Sequence, residues 1–286
     1  MKLTALINSN SGSVPADGAA QLEALMKERG WPCHILAPDP GEFPNCLSKI
    51  DPDACDALIV WGGDGTVAAA MQKTGPDGPP IIPLPGGTMN MLHQRVHGGL
   101  ADWQTCLIEA VLRRRIDDMP AACVGDEMIF VGAMFGRLTG LAQIREAVRK
   151  WDLMSFSQNL DLPEKFDLTS DILFTLNRKS GTAEGCATTL AVFVTEDRTK
   201  QEDGLDVISS EPRTLGELAH IGMQALLNPL TNADGITHYE ADRIEVSFGD
   251  RVPMPATLDG EPVELTENLQ ISYLPKAARV YGAGLS

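Results

Sequence analysis

The 286-residue chain is long enough for two domains at roughly 100–200 residues each, and 43% apolar with 22% charged residues is a globular composition. A net charge of −16 excludes a nucleic-acid grip built on clustered Lys and Arg, and it gives no general attraction to an anionic membrane. The six cysteines show neither a C-x-x-C pair nor metal-ligand spacing, no run approaches the ~18 apolar residues of a membrane span, and Lys2 precedes too short an apolar run for a secretion signal, so the expected compartment is the cytoplasm.

Leu3–Ile7 is a short apolar run that stops at the polar segment Asn8-Ser9-Asn10-Ser11-Gly12. A helical pattern follows, with Leu22, Leu25 and Met26 on one face and Gly30 as its stop. Ala57–Trp61 is a continuous apolar run, as expected of a strand covered on both faces of a parallel sheet. It breaks at Gly62-Gly63-Asp64-Gly65-Thr66 and continues into helix-compatible Val67–Met71. After a turn-rich tip at Gly75–Pro80, Ile81–Leu84 reads as another strand ending at Pro85-Gly86-Gly87-Thr88. Trp103–Arg115 is helical in pattern and closes on Arg113-Arg114-Arg115, where cations favour the helix dipole. Strands alternating with helices predict an open, mostly parallel α/β layer.

Beyond about Asp118 the period changes to two. Ile172–Leu176, Leu190–Val194, Ile244–Phe248 and Leu269–Tyr273 read as strands of an antiparallel sheet with one wet face. Two helices are expected among them: an amphipathic Leu138–Lys150, and Leu215–Leu227 with Thr214 and Glu217 in capping-box spacing. The expected division is an α/β domain over 1–118 and a β-rich domain over 119–275, with 276–286 returning to the first.

The chemistry concentrates at Gly62–Thr66. Triphosphate binding needs backbone N–H groups that side chains do not block, and a helix start adds a positive dipole end. An acid within such a site implies a cation beside it, so Asp64 suggests Mg²⁺ bridged to phosphate. A plain tight turn with Asp64 as N-cap would need one glycine rather than three. There is no G-x-x-x-x-G-K-[ST] motif. Gly63-x-Gly65-x-x-Ala68 matches a loose dinucleotide fingerprint, but the acidic residue expected about 20 positions on is Ile, Pro or Leu.

Five segments in order carry a more specific resemblance. Gly62–Thr66 reads G-G-D-G-T; Asn8–Gly12 resembles N-P-x-S-G; Leu84–Asn90 resembles L-P-x-G-T-x-N; Asp203–Val207 resembles D-G-x-x-D-V, one residue short; Asp259-Gly260-Glu261 reads D-G-E. Together they resemble the catalytic region of bacterial diacylglycerol kinases, relatives of sphingosine, ceramide and NAD kinases. The resemblance implies an α/β nucleotide-binding domain of three layers on a mostly parallel sheet, followed by a mostly antiparallel β-sandwich that takes the lipid. It implies ATP and Mg²⁺ as cofactors, a lipid alcohol as acceptor, transient contact with a membrane surface, and often a homodimer. Asn8, Ser11, Gly12, Gly62, Gly63, Gly65, Thr66, Gly87, Thr88 and Asn90 would line the nucleotide site. Asp259 would be the general base and Glu261 its support, while Asp64, Asp203 and Asp206 would be the metal-side acids.

Departures bear on the acceptor. Met91 stands where many diacylglycerol kinases have Asp, and Ser9 replaces the usual Pro. They motivate a rival reading, a non-catalytic lipid- or nucleotide-binding relative. An NAD kinase would share G-G-D-G-T but also carry an Asn-Glu pair that this chain lacks. His93 and His97 share i,i+4 spacing, but Gln94 breaks the zinc-protease pattern, so they read as ordinary surface or core groups.

Overall fold

A computed structural model describes residues 1–51, 54–99, 102–125, 127–136, 172–195, 197, 203–210, 236–249 and 252–283. The expected helices over 138–150 and 215–227 lie outside them. The chain divides into two compact units: Met1–Ala121 with Glu196–Thr199 and Leu274–Ser286, and Ala122–Thr195 with Lys200–Tyr273.

The first unit is α/β. Strands β1 (Leu3–Ile7), β2 (Cys33–Leu36), β3 (Ala57–Gly62) and β4 (Ile81–Pro85) lie parallel in the order β2-β1-β3-β4. The helices are α1 (Gly18–Arg29), α2 (Phe43–Ser48), α3 (Asp64–Thr74), α4 (Met91–His97) and α5 (Trp103–Arg113). Every residue of β3 is buried, as its unbroken apolar run requires. Side chains alternate across a strand. Ala57, Ile59 and Trp61 therefore share a core cluster with Leu22, Leu25 and Met26 of α1 and with Leu107, Ala110 and Val111 of α5. Leu58 and Val60 are completely buried as well. Each such side chain contributes roughly 1.5–3 kcal/mol by leaving water.

Caps set the helix ends. Gly30 adopts φ +66° and Trp31 N–H reaches back to Met26 O, closing α1 with a left-handed cap. Asp102 caps α5 by accepting Thr105 N–H at 2.8 Å. The arginine run is the C-terminal stop that its position suggested: Arg113 pairs with Glu109 one turn back, and Arg114 is the cap at φ +51°.

The second unit is an antiparallel sandwich. One sheet runs β12 (Ile236–Ala241), β11 (Leu205–Ser210), β10 (Thr189–Val194), β7 (Gly132–Gly136), β14 (Met254–Leu258), β15 (Glu261–Leu265). The other contains β13 (Arg243–Ser247) between β8 (Ile172–Arg178) and the first part of β16 (Leu269–Tyr281), with β9 (Gly181–Ala187) beyond β8. The end of β5 (Ile116–Val124) forms a hairpin with β6 (Glu127–Ile129). Alternation holds where it was expected: Ile244 and Val246 are buried while Glu245 between them is exposed. Phe135, Phe174, Leu190, Val192, Val207, Ile244 and Ile271 belong to the core between the sheets.

Candidate functional site

The turn after β3 is assembled from three loops of the first unit. Gly63 occupies the N-cap of α3 in an extended conformation, and Asp64 begins the helix. Beside it, the loop after β4 packs backbone on backbone. A Cβ on Gly86 would lie 2.7 Å from Gly62 Cα, and one on Gly87 would lie 2.7 Å from Gly63 Cα. Gly86 N–H donates to Gly62 O at 2.9 Å. These glycines are required by the contact between the two loops.

The loop after β1 completes the assembly. Asn8 Nδ2 donates to Thr66 Oγ1 at 2.9 Å, and Ser11 Oγ accepts Gly63 N–H at 3.3 Å. Ser13, which sequence reading passed over, donates its amide to Gly86 O and its hydroxyl to Gly87 O, each at 2.9 Å. Its position beside the Asn8–Gly12 segment was the available signal. Asn90 sits at φ +50°, a left-handed conformation that asparagine tolerates. There its Oδ1 accepts Gly87 N–H at 2.7 Å and its Nδ2 donates to Gly87 O at 3.0 Å. Thr88 is exposed at the tip of this loop.

Two glycines of the assembly are different. Gly12 and Gly65 have no neighbouring heavy atom within 4 Å of a Cβ position. Gly65 stands in the first turn of α3, where alanine would favour the helix by roughly 0.5–1 kcal/mol. Protein packing therefore explains Gly62, Gly86 and Gly87 but not Gly12 or Gly65. Open space beside a helix start is what an anion would occupy.

Asp64 has a task the sequence did not reveal. Gly63, not Asp64, holds the N-cap place of α3. The Asp64 carboxylate reaches across to accept Leu92 N–H at 2.8 Å, satisfying an amide in the first turn of α4. The plain-turn alternative is corrected accordingly: Asp64 caps the next helix rather than its own.

In the second unit, Asp259-Gly260 is the two-residue turn between β14 and β15, with φ +46° and +88° as a type I′ hairpin demands. The Asp259 carboxylate accepts the amides of Phe130, Val131 and Gly132 at 2.8, 2.8 and 2.9 Å. Glu261 opens β15 as an exposed residue opposite Leu258. Asp203, at φ +54°, accepts Lys179 N–H at 3.2 and 3.3 Å on its two oxygens. Its neighbour must be glycine, because a Cβ on Gly204 would fall 2.2 Å from the Tyr273 ring. Asp206 lies within β11 opposite Phe193 and Glu240.

Among the described residues one group of three metal-capable side chains lies within mutual reach, and it contains none of these acids: His93, His97 and Cys106, all buried. Its hydrogen bonds assign it to the core. His97 Nδ1 accepts Ala283 N–H at 3.1 Å, so its proton is on Nε2, 2.9 Å from Pro83 O. His93 Nδ1 lies 3.0 Å from the same carbonyl, and its Nε2 faces Cys106 Sγ at 3.8 Å. Burial, reinforced by His93, lowers the His97 pKa to about 4, and burial pushes the Cys106 thiol up to about 11. Every imidazole nitrogen already has a protein partner, so a cation would have to break this network to enter.

The family model described as the diacylglycerol kinase catalytic domain matches residues 2–124. A solved structure of a diacylglycerol kinase from Bacillus anthracis str. Sterne shares the fold at a TM-score of 0.66, with 14% identity, over 98% of this chain and 96% of its own. A second structure from the same organism gives 0.68 with 15% identity, over 98% and 97%. At that identity the likeness is one of fold, and it spans both units. The matched residues contain the whole three-loop assembly. Asp203, Asp206, Asp259 and Glu261 lie beyond the matched residues.

Proposed function

We propose that the chain transfers the γ-phosphate of ATP to the hydroxyl of a lipid alcohol, most simply diacylglycerol to give phosphatidic acid. The observation that carries this reading is the empty Cβ space at Gly12 and Gly65, beside a helix N-terminus within the catalytic-family domain. Backbone amides and the dipole of α3 would hold the phosphates there, with Asn8, Ser11 and Thr66 fixing the turn and Gly87, Thr88 and Asn90 forming the second wall. Mg²⁺, when bound, neutralises charge on the transferring phosphoryl group. It often keeps several waters and needs only one or two protein carboxylates. Asp64 fits that demand from the first turn of α3. Asp203 and Asp206 are weaker fits: both oxygens of Asp203 face the Lys179 amide, whereas the Leu92 amide meets one oxygen of Asp64, and Asp206 lies within a strand. Asp259 would take the proton of the acceptor hydroxyl onto its own carboxylate, which three amides hold in place, and Glu261 would support it from the next strand.

One finding favours a second reading, a non-catalytic relative that binds nucleotide or lipid. Asp64 and Asp259 each perform structural work, so both would persist after loss of catalysis. Labelled ATP incubated with a total lipid extract separates the two readings. Transfer should appear on one lipid class and fall at least about 100-fold in Asp64→Asn and in Asp259→Asn. ATP binding without transfer across a broad lipid panel would establish the second reading. Formation of NADP from NAD would replace both.

A further inference from the structure

We propose that His93 and His97 are positioning residues for the Gly86–Asn90 loop, acting as a double clamp on the Pro83 carbonyl. The effect on ATP rests on the phosphotransfer reading; the clamp itself does not.

The loop is bounded by β4 on one side and α4 on the other. Even-numbered residues of this stretch turn toward β3: Pro80 O takes Leu58 N–H, and Gly86 N–H goes to Gly62 O. Pro83 therefore turns to the other edge. There β16 is registered with β4 at Val280 opposite Ile81. Pro83 has no N–H of its own, and its carbonyl is buried. Two imidazoles from successive turns of one helix face supply its hydrogen bonds, at 3.0 and 2.9 Å. Donors four residues apart on one acceptor fix both the rotation of α4 and its position along β4. Ala283 N–H on His97 Nδ1 adds a third tie.

What the clamp fixes is the start of α4. Leu92 N–H must meet Asp64, and Asn90 must meet Gly87. A helix one residue out of place would lose both bonds and withdraw Gly87 from Gly63. An i,i+4 histidine pair with one shared acceptor thus sets the distance between the two glycine loops.

Hydrogen exchange at the Gly87 and Leu92 amides reads the clamp directly. In His93→Leu and His97→Leu these amides should exchange about tenfold or more faster than in the wild type. Leu22→Ala, a core deletion on α1, should destabilise the fold without a selective change at either amide. Donor position is tested by amide side chains. His93→Asn places N–H where Nδ1 stands and should retain protection, while His93→Gln misplaces it and should not. His97→Gln and His97→Asn should show the reverse order. If the leucine variants do not fold, this Asn/Gln pattern alone decides. ATP titration should show about tenfold weaker binding in the variants that lose protection. Equal exchange in all four amide variants, or equal selective loss in Leu22→Ala, overturns the clamp. A wild type that binds no ATP overturns the phosphotransfer reading and leaves the exchange result standing.

Discussion

His97 makes its bonds as a neutral ring. Nδ1 must be bare to receive Ala283 N–H while Nε2–H serves Pro83. Burial holds its pKa near 4, below the 6.5 of a free histidine. Between those values the unfolded chain takes up a proton that the native ring refuses. Stability from this residue is therefore complete above about pH 6.5 and declines as pH falls toward 4, by up to roughly 3 kcal/mol. His97→Gln keeps the donor to Pro83 and cannot titrate. Urea midpoints measured from about pH 7 to 4 should fall more steeply for the wild type than for His97→Gln, with the carboxylates common to both. Parallel curves would mean that the native ring takes up its proton as readily as the unfolded chain does.

The two glycine loops predict opposite stability effects with one functional outcome. In Gly86→Ala the methyl would lie 2.5 Å from Val14 and 2.7 Å from Gly62, forcing the loops apart. It should cost about 1–3 kcal/mol and weaken ATP binding. In Gly65→Ala the methyl meets nothing, so α3 gains roughly 0.5–1 kcal/mol and the melting temperature rises. ATP should nevertheless bind far more weakly, because the methyl fills the anion's place. Thermal melts with ATP calorimetry check both, and normal affinity in Gly65→Ala would show that the space is not used. The same elements show what was legible. The buried run of β3, the Leu22–Leu25–Met26 face, the Gly30 stop and the alternation of β13 are local patterns that packing confirms. The Asp259-Gly260 hairpin was visible for the same reason. Asp64 on Leu92 and Asp259 on Val131 span 28 and 128 residues and end on backbone amides, which leave no trace in side-chain identity. The histidine spacing could be seen, but its acceptor, a carbonyl ten and fourteen residues upstream, could not.

At the scale of the molecule, a charge of −16 governs how a lipid acceptor would be reached. No helix among the described residues is long and apolar enough to cross a membrane. Two cations of the arginine run are locally offset, Arg113 by Glu109 and Arg115 by Asp117, and nearby Lys276 meets Asp118. Cations paired in this way give little local electrostatic pull toward phosphatidylserine or phosphatidic acid, and the net charge repels both. If the acceptor is diacylglycerol, turnover should be faster on phosphatidylcholine vesicles than on vesicles rich in anionic lipid. The gap should be widest at low salt and close as the screening length shortens to about 8 Å at physiological ionic strength. Accumulating phosphatidic acid should likewise slow the reaction at low salt and do so less at high salt. Faster turnover on anionic vesicles would instead require a local basic docking face strong enough to override the whole-molecule field, and the charge argument would fall.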